Sequence, residues 1–411
     1  MHEIKEIEER LILVGVQEDD SYDVEESLDE LEELAETAGA ESVGRLVQKR
    51  EKIHPVTYIG KGKIEELKDL VWETDATGVA CDDELSPVQL KNLEQELDCK
   101  VIDRTLLILD IFAARARSSE GKIQVELAQL KYRAAHLVGV NQSLSRLGGG
   151  IGTRGPGEKK LEIDRRRIRE RISQLKRELS EIRQHRELIR EKRKKKNVKI
   201  AALVGYSSAG KSSILNLLTE ADVLVDAKLF STLDTTTRAL KLPGGQTVYL
   251  TDTVGFIRKL PHHLIEAFKS TLEEVTYADI IVHVVDASHP QMEVKMQTVY
   301  DTLRQLGVED QPVITLFNKM DKLPDAGRMR DFRADETIRT SAKTGQGMEE
   351  FQYALEELLR KDQIYIERLY PYEKGGLIQL IRQEGELLSE EYKADGIAVK
   401  AYVPRSIYGK L

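Results

Sequence analysis

Residues 198–218 read VKIAALVGYSSAGKSSILNLL. The opening VKIAALV is a near-continuous apolar run, as a parallel strand buried on both faces should be. It feeds Gly205-Tyr206-Ser207-Ser208-Ala209-Gly210-Lys211-Ser212, which fits G-x-x-x-x-G-K-[ST], and a helix-like ILNLL follows. Phosphate chemistry dictates this order. Gly205 and Gly210 permit the tight backbone that turns successive N–H groups onto phosphate oxygens, and the helix N-terminus adds its partial positive charge. Lys211 reaches the β- and γ-phosphates, and the Ser212 hydroxyl is placed for Mg²⁺. The stretch therefore predicts a P-loop α/β domain, with a doubly wound, mostly parallel sheet.

Three downstream elements extend the reading. Residues 248–250 are strand-like and end in Asp252-Thr253-Val254-Gly255. An Asp at a strand end beside a phosphate loop can hold Mg²⁺ through water, and the Gly255 N–H can contact the γ-phosphate. A second buried run, VITLF at 313–317, leads into Asn318-Lys319-Met320-Asp321. A carboxylate there can accept from guanine N1–H and N2–H₂, which adenine does not offer in that geometry. A buried acceptor left unpaired can cost ~10⁴-fold in selectivity. Asn318 can bridge the base edge and the loop, and the Lys319 stem can cover the ring. Ser341-Ala342-Lys343 can give a backbone N–H to guanine O6. The order and spacing resemble the G domain of translation-type GTPases. For the switch hydroxyl, FSTLDTTTR at 230–238 offers Thr232, Thr235, Thr236 and Thr237, and spacing does not choose among them.

Around this block the chain has 411 residues and a net charge of −9. That average argues against a nucleic-acid binder, but the charge is uneven. Residues 1–41 hold 16 acids and 2 bases, whereas 158–196 hold 17 bases and 8 acids. The two cysteines, Cys81 and Cys99, exclude a disulfide framework and a Cys-based zinc site. No apolar run of about 18 residues is present, so no membrane span is expected. The acidic start, MHEIKEIEER, lacks the apolar core of a secretory signal, so the expected location is cytoplasmic.

Four blocks emerge. Residues 1–147 alternate strand-like runs (11–16, 78–81, 101–102) with helical ones (23–38, 64–73, 87–97), a βα rhythm, then continue as long helices at 106–117 and 123–137. Residues 148–196 open with the loop GGGIGTRGPG and continue without Gly or Pro from 158. Apolar residues there recur at three, four and seven, as in an amphipathic helix or helical hairpin. The G domain is expected over 197–361. A small α/β domain is expected over 362–411, with strands at 364–369 and 397–403 around a helix near 376–385.

Segments well beyond the G domain carry a further likeness. YIGKGKIEEL (58–67), LSPVQLKNLE (85–94), the run from Ile102 to Tyr132 and LSRLGGGIGTRGPGEKKLEIDRRRIRERI (144–172) resemble the HflX GTPases, a ribosome-associated family. Their F-[AS]-T-L-D switch element maps onto Phe230, Ser231, Thr232, Leu233 and Asp234, which puts the Mg²⁺ threonine at Thr232. The resemblance implies a GTPase that binds GTP and GDP and acts on the large ribosomal subunit. In some members it splits or rescues stalled ribosomes, the Gly-rich loop and helices entering near the peptidyl-transferase region. Two positions depart from the family pattern. Ser208 stands where an Asn is common, an Asn associated with a monovalent cation in related GTPases. Thr235 stands where Pro is common, which removes a φ constraint.

Phe256 follows Gly255 where many small GTPases have a water-orienting Gln, so no catalytic side chain is assigned. The expected consequence is slow hydrolysis alone and stimulation by the ribosome. The expected RNA contacts are Arg146, Arg154, Lys159, Lys160, Arg165, Arg166 and Arg167, reading phosphate and shape rather than bases. Gly60-Lys61-Gly62-Lys63 reads either as a second phosphate contact or as a solvated turn. The chain is read as a monomer. Ribosome assembly, or a GTP switch docking a protein partner without RNA, are the alternative readings.

Overall fold

The computed structural model describes residues 9–18, 23–144, 156–195, 198–219, 229–230, 232–261, 264, 272–323, 327, 329–361 and 363–411. These fall into two compact units. One draws on 1–180 with 228–230 and 259–268, the other on 181–227, 231–258 and 269–411.

In the first unit, β1 (Glu9–Gln17), β2 (Ala40–Lys49), β3 (Gly78–Cys81) and β4 (Lys100–Asp103) form a parallel sheet in the order β2-β1-β3-β4. Its helices are α1 (Val24–Ala38), α2 (Lys61–Glu73), α3 (Pro87–Leu97) and α4 (Arg104–Arg115). Local chemistry sets their ends. The Asp23 carboxylate caps α1 by accepting from Glu25 N–H, and Gly39 closes it at φ +92°, donating to the Ala35 and Glu36 carbonyls. Ser86 and Gln89 form a reciprocal capping box on α3, with Pro87 as its first residue.

β2 is absent from the sequence reading. It is an edge strand whose residues are mostly half-buried, so it shows no continuous apolar run. The two thiols are free, and Cys81 lies in the apolar core of this sheet.

Residues 158–195 of the basic stretch lie within one helix, α6 (Pro156–Lys195), of 40 residues and thus about 60 Å long; Lys196 lies outside the described residues. Its hairpin partner is α5 (Ser119–Leu144). Leu127 of α5 packs with Leu175 and Leu179 of α6, backed by Ile123, Leu130 and Ile172. Arg171 closes the seam with a two-point pair to Glu126, at 2.7 and 2.8 Å.

The second unit holds a six-stranded sheet in the order β10-β9-β8-β5-β7-β6. Its strands are β5 (Lys199–Gly205), β6 (Thr236–Lys241), β7 (Thr247–Asp252), β8 (Ile280–Asp286), β9 (Val313–Asn318) and β10 (Glu336–Arg339). All pair in parallel except edge strand β6, which runs antiparallel to β7. Helices α7 (Lys211–Thr219), α8 (Met292–Gln305) and α9 (Met348–Arg360) accompany it. Ile214 and Leu215 of α7 and Phe351 and Leu355 of α9 share one fully buried core with Leu203, Val282 and Leu316.

A three-stranded antiparallel sheet closes the chain: β11 (Gln363–Tyr370), β12 (Glu386–Lys393) and β13 (Gly396–Pro404), in the order β11-β13-β12. Helix α10 (Gly375–Glu384) covers one face through Ile378 and Ile381. β12, like β2 an edge strand, had no apolar run to mark it. Among the described residues no helix is long and apolar enough to cross a membrane.

Candidate nucleotide site

The parallel strands bring the motif residues together at their carboxyl ends, where open α/β sheets bind ligands. β5 ends at Gly205, β7 at Asp252, β8 at Asp286 and β9 at Asn318, and Ser341 follows β10.

Two glycines in the phosphate loop are sterically required. A Cβ on Gly205 would sit 2.2 Å from the Val284 carbonyl oxygen. One on Gly210, at φ +102°, would sit 2.3 Å from Asn318 Nδ2. Ser208 takes φ +63°, a left-handed conformation that Asn adopts more readily than Ser. Lys211 is buried and donates to the Gly205 and Tyr206 carbonyls at 3.1 Å, which holds its ammonium over the loop. Burial pulls its pKa down to about 8, with Asp252 opposing that shift.

Beside it three oxygens converge. Ser212 Oγ donates to Asp252 Oδ2 at 2.6 Å, and Thr232 Oγ1 lies 2.9 Å from Ser212 Oγ and 3.1 Å from the same carboxylate oxygen. Asp252 Oδ1 is buried and has no hydrogen-bond partner. Burial pushes this carboxyl above its usual range, and Lys211 and the two hydroxyls pull it back. Thr236 and Thr237 begin β6, Thr236 opposite Asp252 in the β6–β7 register and Thr237 with its hydroxyl 3.0 Å from that of Thr251. Ser231 lies outside the described residues. Phe230, Leu233 and Val254 are buried and Asp234 is half-buried.

The segment after β7 is strapped to the loop. Phe256 N–H donates to the Gly205 carbonyl at 3.1 Å, and Ser207 N–H donates to the Phe256 carbonyl at 2.7 Å. The Phe256 ring is 1% exposed. Gly255 allows this approach, since a Cβ there would meet Ser207 Cα at 2.8 Å. The Thr253 hydroxyl anchors the same segment on the Leu203 carbonyl at 2.7 Å.

At the other end, Asn318 ties three motifs together. Its Nδ2 donates to the Ala209 carbonyl, and its Oδ1 accepts from Ala342 N–H, both at 2.9 Å. Ser341 Oγ donates to Asp321 Oδ1 at 2.6 Å, which holds that carboxyl below its ordinary range. Lys319, at φ +65°, pairs with Asp286 at 2.7 Å. Met320 is buried in the apolar cluster beneath, and Lys343 is exposed beyond it. Asp286 escaped the sequence reading. It ends the apolar run IIVHVVD, a signal that was present but had no motif spacing to mark it.

The chain matches three sequence families: "GTP-binding GTPase N-terminal" over 25–113, "GTP-binding GTPase Middle Region" over 115–193 and "50S ribosome-binding GTPase" over 200–319. It is 62% identical to the GTPase HflX of Lacrimispora saccharolytica over 409 residues, 100% of this chain and 97% of that one. The chain belongs to the HflX GTPase family. Two further HflX relatives, from Caldanaerobacter subterraneus subsp. tengcongensis and Alkalihalophilus pseudofirmus, are 51% and 44% identical. Each match spans 100% of this chain and at least 95% of the relative. As an HflX GTPase the chain binds guanine nucleotide and hydrolyses GTP on the P-loop fold described above.

The RNA-contact residues inferred from sequence are distributed differently. Arg146 and Arg154 lie outside the described residues, and Lys159 and Lys160 are on α6 with undescribed side chains. Arg166 and Arg167 face solvent, Arg166 beside Glu170 at 2.8 Å. Arg165 is half-buried and donates to the Leu137 carbonyl on α5, so it is engaged within the hairpin.

Proposed function

We propose that the protein is a Mg²⁺-dependent GTPase of the cytoplasm that acts as a monomer on the large ribosomal subunit and splits or rescues stalled ribosomes. The observation that carries the reading is the ribosome-binding description of the family that residues 200–319 match. The work divides as 1–147, an N-terminal α/β domain; 148–196, the Gly-rich loop and basic helix; 197–361, the G domain; and 362–411, a small α/β domain. Arg166 and Arg167 on α6 supply solvent-facing charge for ribosomal RNA near the peptidyl-transferase region.

Within the G domain, residues 205–212 hold the phosphates, Asp321 selects guanine, and Asn318, Lys319 and 341–343 frame the base. The oxygens of Ser212, Thr232 and Asp252, one of them unpartnered, are a hard donor set of the kind Mg²⁺ prefers. Held by Ser212, Thr232 and Asp252, the ion would supply positive charge against the nucleotide's phosphates. Phe256 gives the loop its backbone and turns its ring into the core, so no side chain at that position orients water. Hydrolysis by the chain alone is therefore slow, and the ribosome completes the site. Such completion is worth ~10³–10⁵ in rate.

Ribosome density profiles with GTP and with a non-hydrolysable analogue test this reading. A rise in free subunits supports splitting, whereas a bound large subunit with intact ribosomes preserved supports assembly. GTP turnover that large subunits leave unchanged would overturn the ribosomal reading.

A further inference from the structure

Between the guanine element and β10 the chain turns through Met329-Arg330-Asp331-Phe332-Arg333. The turn is clamped from inside. Asp331 is 5% exposed, and its Oδ2 accepts from Tyr300 Oη of α8 at 2.6 Å and from Thr315 Oγ1 of β9 at 2.7 Å. Its Oδ1 takes Arg333 N–H at 3.0 Å. With Asp331 turned in, its neighbour is driven out: Phe332 is 87% exposed. The Arg330 guanidinium lies over the Phe332 ring, 5.5 Å from its centroid. Arg333 stacks on Tyr300 at 4.9 Å. The acid of this turn thus points into the fold, while two guanidinium groups and an aromatic ring face outward.

We propose that this turn is a stacking platform for an unpaired base of single-stranded RNA, with Arg330 and Arg333 on the flanking phosphates. The inference rests on the ribosomal reading for the source of that RNA. Three observations favour RNA over a protein pocket. The outward charge is basic, as phosphate requires. The ring already carries a cation on one face, which makes a sandwich with a base on the other. The exposed residues beside the ring are the charged Arg330 and Arg333, whereas an aromatic anchor in a protein interface is ordinarily ringed by contacts that exclude water.

Two experiments on the full chain test this. The first uses a 12-nucleotide single-stranded RNA carrying 5-bromouridine, which photocrosslinks to stacked rings. The adduct is expected on Phe332, and Phe332→Ala should abolish it; an adduct set without Phe332 overturns the platform. The second measures co-sedimentation with large subunits. Phe332→Ala should weaken binding about tenfold, the loss expected for one stacked base. Phe332→Trp should bind as wild type does, and Phe332→Leu should be as weak as the alanine variant. Leucine binding like wild type would mean an apolar protein pocket and would overturn the proposal. GDP affinity and melting temperature should be unchanged in all three, because the side chain lies in solvent. If wild type fails to sediment with large subunits, the ribosomal reading falls, while the RNA crosslink still decides the platform.

Discussion

The Asp321 carboxylate accepts the Ser341 hydroxyl on one oxygen, which keeps it ionised and fixes its direction. Removing it by Asp321→Ala should lower GTP affinity by about 10³-fold or more and leave ATP binding as weak as before. Fluorescence titration of both nucleotides checks this, and retained GTP selectivity would reassign the base contact. The motif placed Asp321 from spacing alone, but its coupling to Ser341 was not legible: the sequence presented 341–343 only as a backbone donor. His283 was equally silent. It sits fully buried in mid-strand, edge-on to Tyr300, with Nδ1 lacking a hydrogen-bond partner. Burial pulls its pKa down to about 4, Lys211 assisting and Asp331 opposing. The unfolded imidazole titrates near 6.5, so the unfolded state binds the extra proton between these values. Stability should therefore fall as pH drops from about 6.5 to 4, by about 3 kcal/mol in all. Urea melts across that range should show His283→Phe with a flatter profile.

Arg104 begins α4 and is 1% exposed, yet it binds two carboxylates: Glu30 of α1 at 2.6 Å and Asp82, which follows β3, at 2.7 Å. It also donates to the Ser27 carbonyl at 3.0 Å. Arg104 and Lys259 hold the Asp82 carboxyl far below its ordinary range despite burial. This cluster joins a helix, a strand end and a helix start, so losing Arg104 removes the buried cation set between Glu30 and Asp82, with Lys259 and Ser27 left on Asp82. Arg104→Met should destabilise the first unit by about 3–5 kcal/mol, read from chemical denaturation. Replacing Glu30 and Asp82 by apolar residues in the same chain should recover much of that loss. The elements themselves were legible where packing imposes a pattern: the buried runs of β1, β5 and β9 and the periodic helices around them. β2, β6 and β12 were missed for one physical reason. Each is an edge strand, and each mixes exposed or half-buried positions with few buried ones, so the pattern that marks a strand is absent. The apolar spacing in 158–196 left helix or hairpin open. The structure resolves it because Leu175 and Leu179 need a facing partner, and α5 provides it.

Across the whole chain the net charge of −9 hides a segregation. The 39 residues 158–196 carry +9 and all the rest −18. Under the proposed ribosomal role, an acidic remainder disfavours RNA phosphate except at local basic patches such as this helix and the 330–333 turn, so the charge pattern would direct docking instead of coating the nucleic acid. The composition alone pointed away from RNA; the concentration of bases on one long helix, with Arg166 and Arg167 in solvent, supplies the local charge that the proposed RNA contact requires. Binding by phosphate neutralisation releases counterions, so log K for the large subunit should fall linearly with log salt. Each arginine that meets a phosphate adds about one to that slope. The double change Arg166→Gln and Arg167→Gln should therefore make the slope shallower by about two while GTP binding in the G domain stays unchanged. Arg165→Gln should behave differently. Its guanidinium is engaged with the Leu137 carbonyl, so the change should lower the melting temperature of the hairpin more than it alters the salt slope. Sedimentation binding at several salt concentrations separates the two classes. A salt-independent affinity, or an equal loss of slope from all three arginines, would mean that the exposed face of α6 is not where the charge is read.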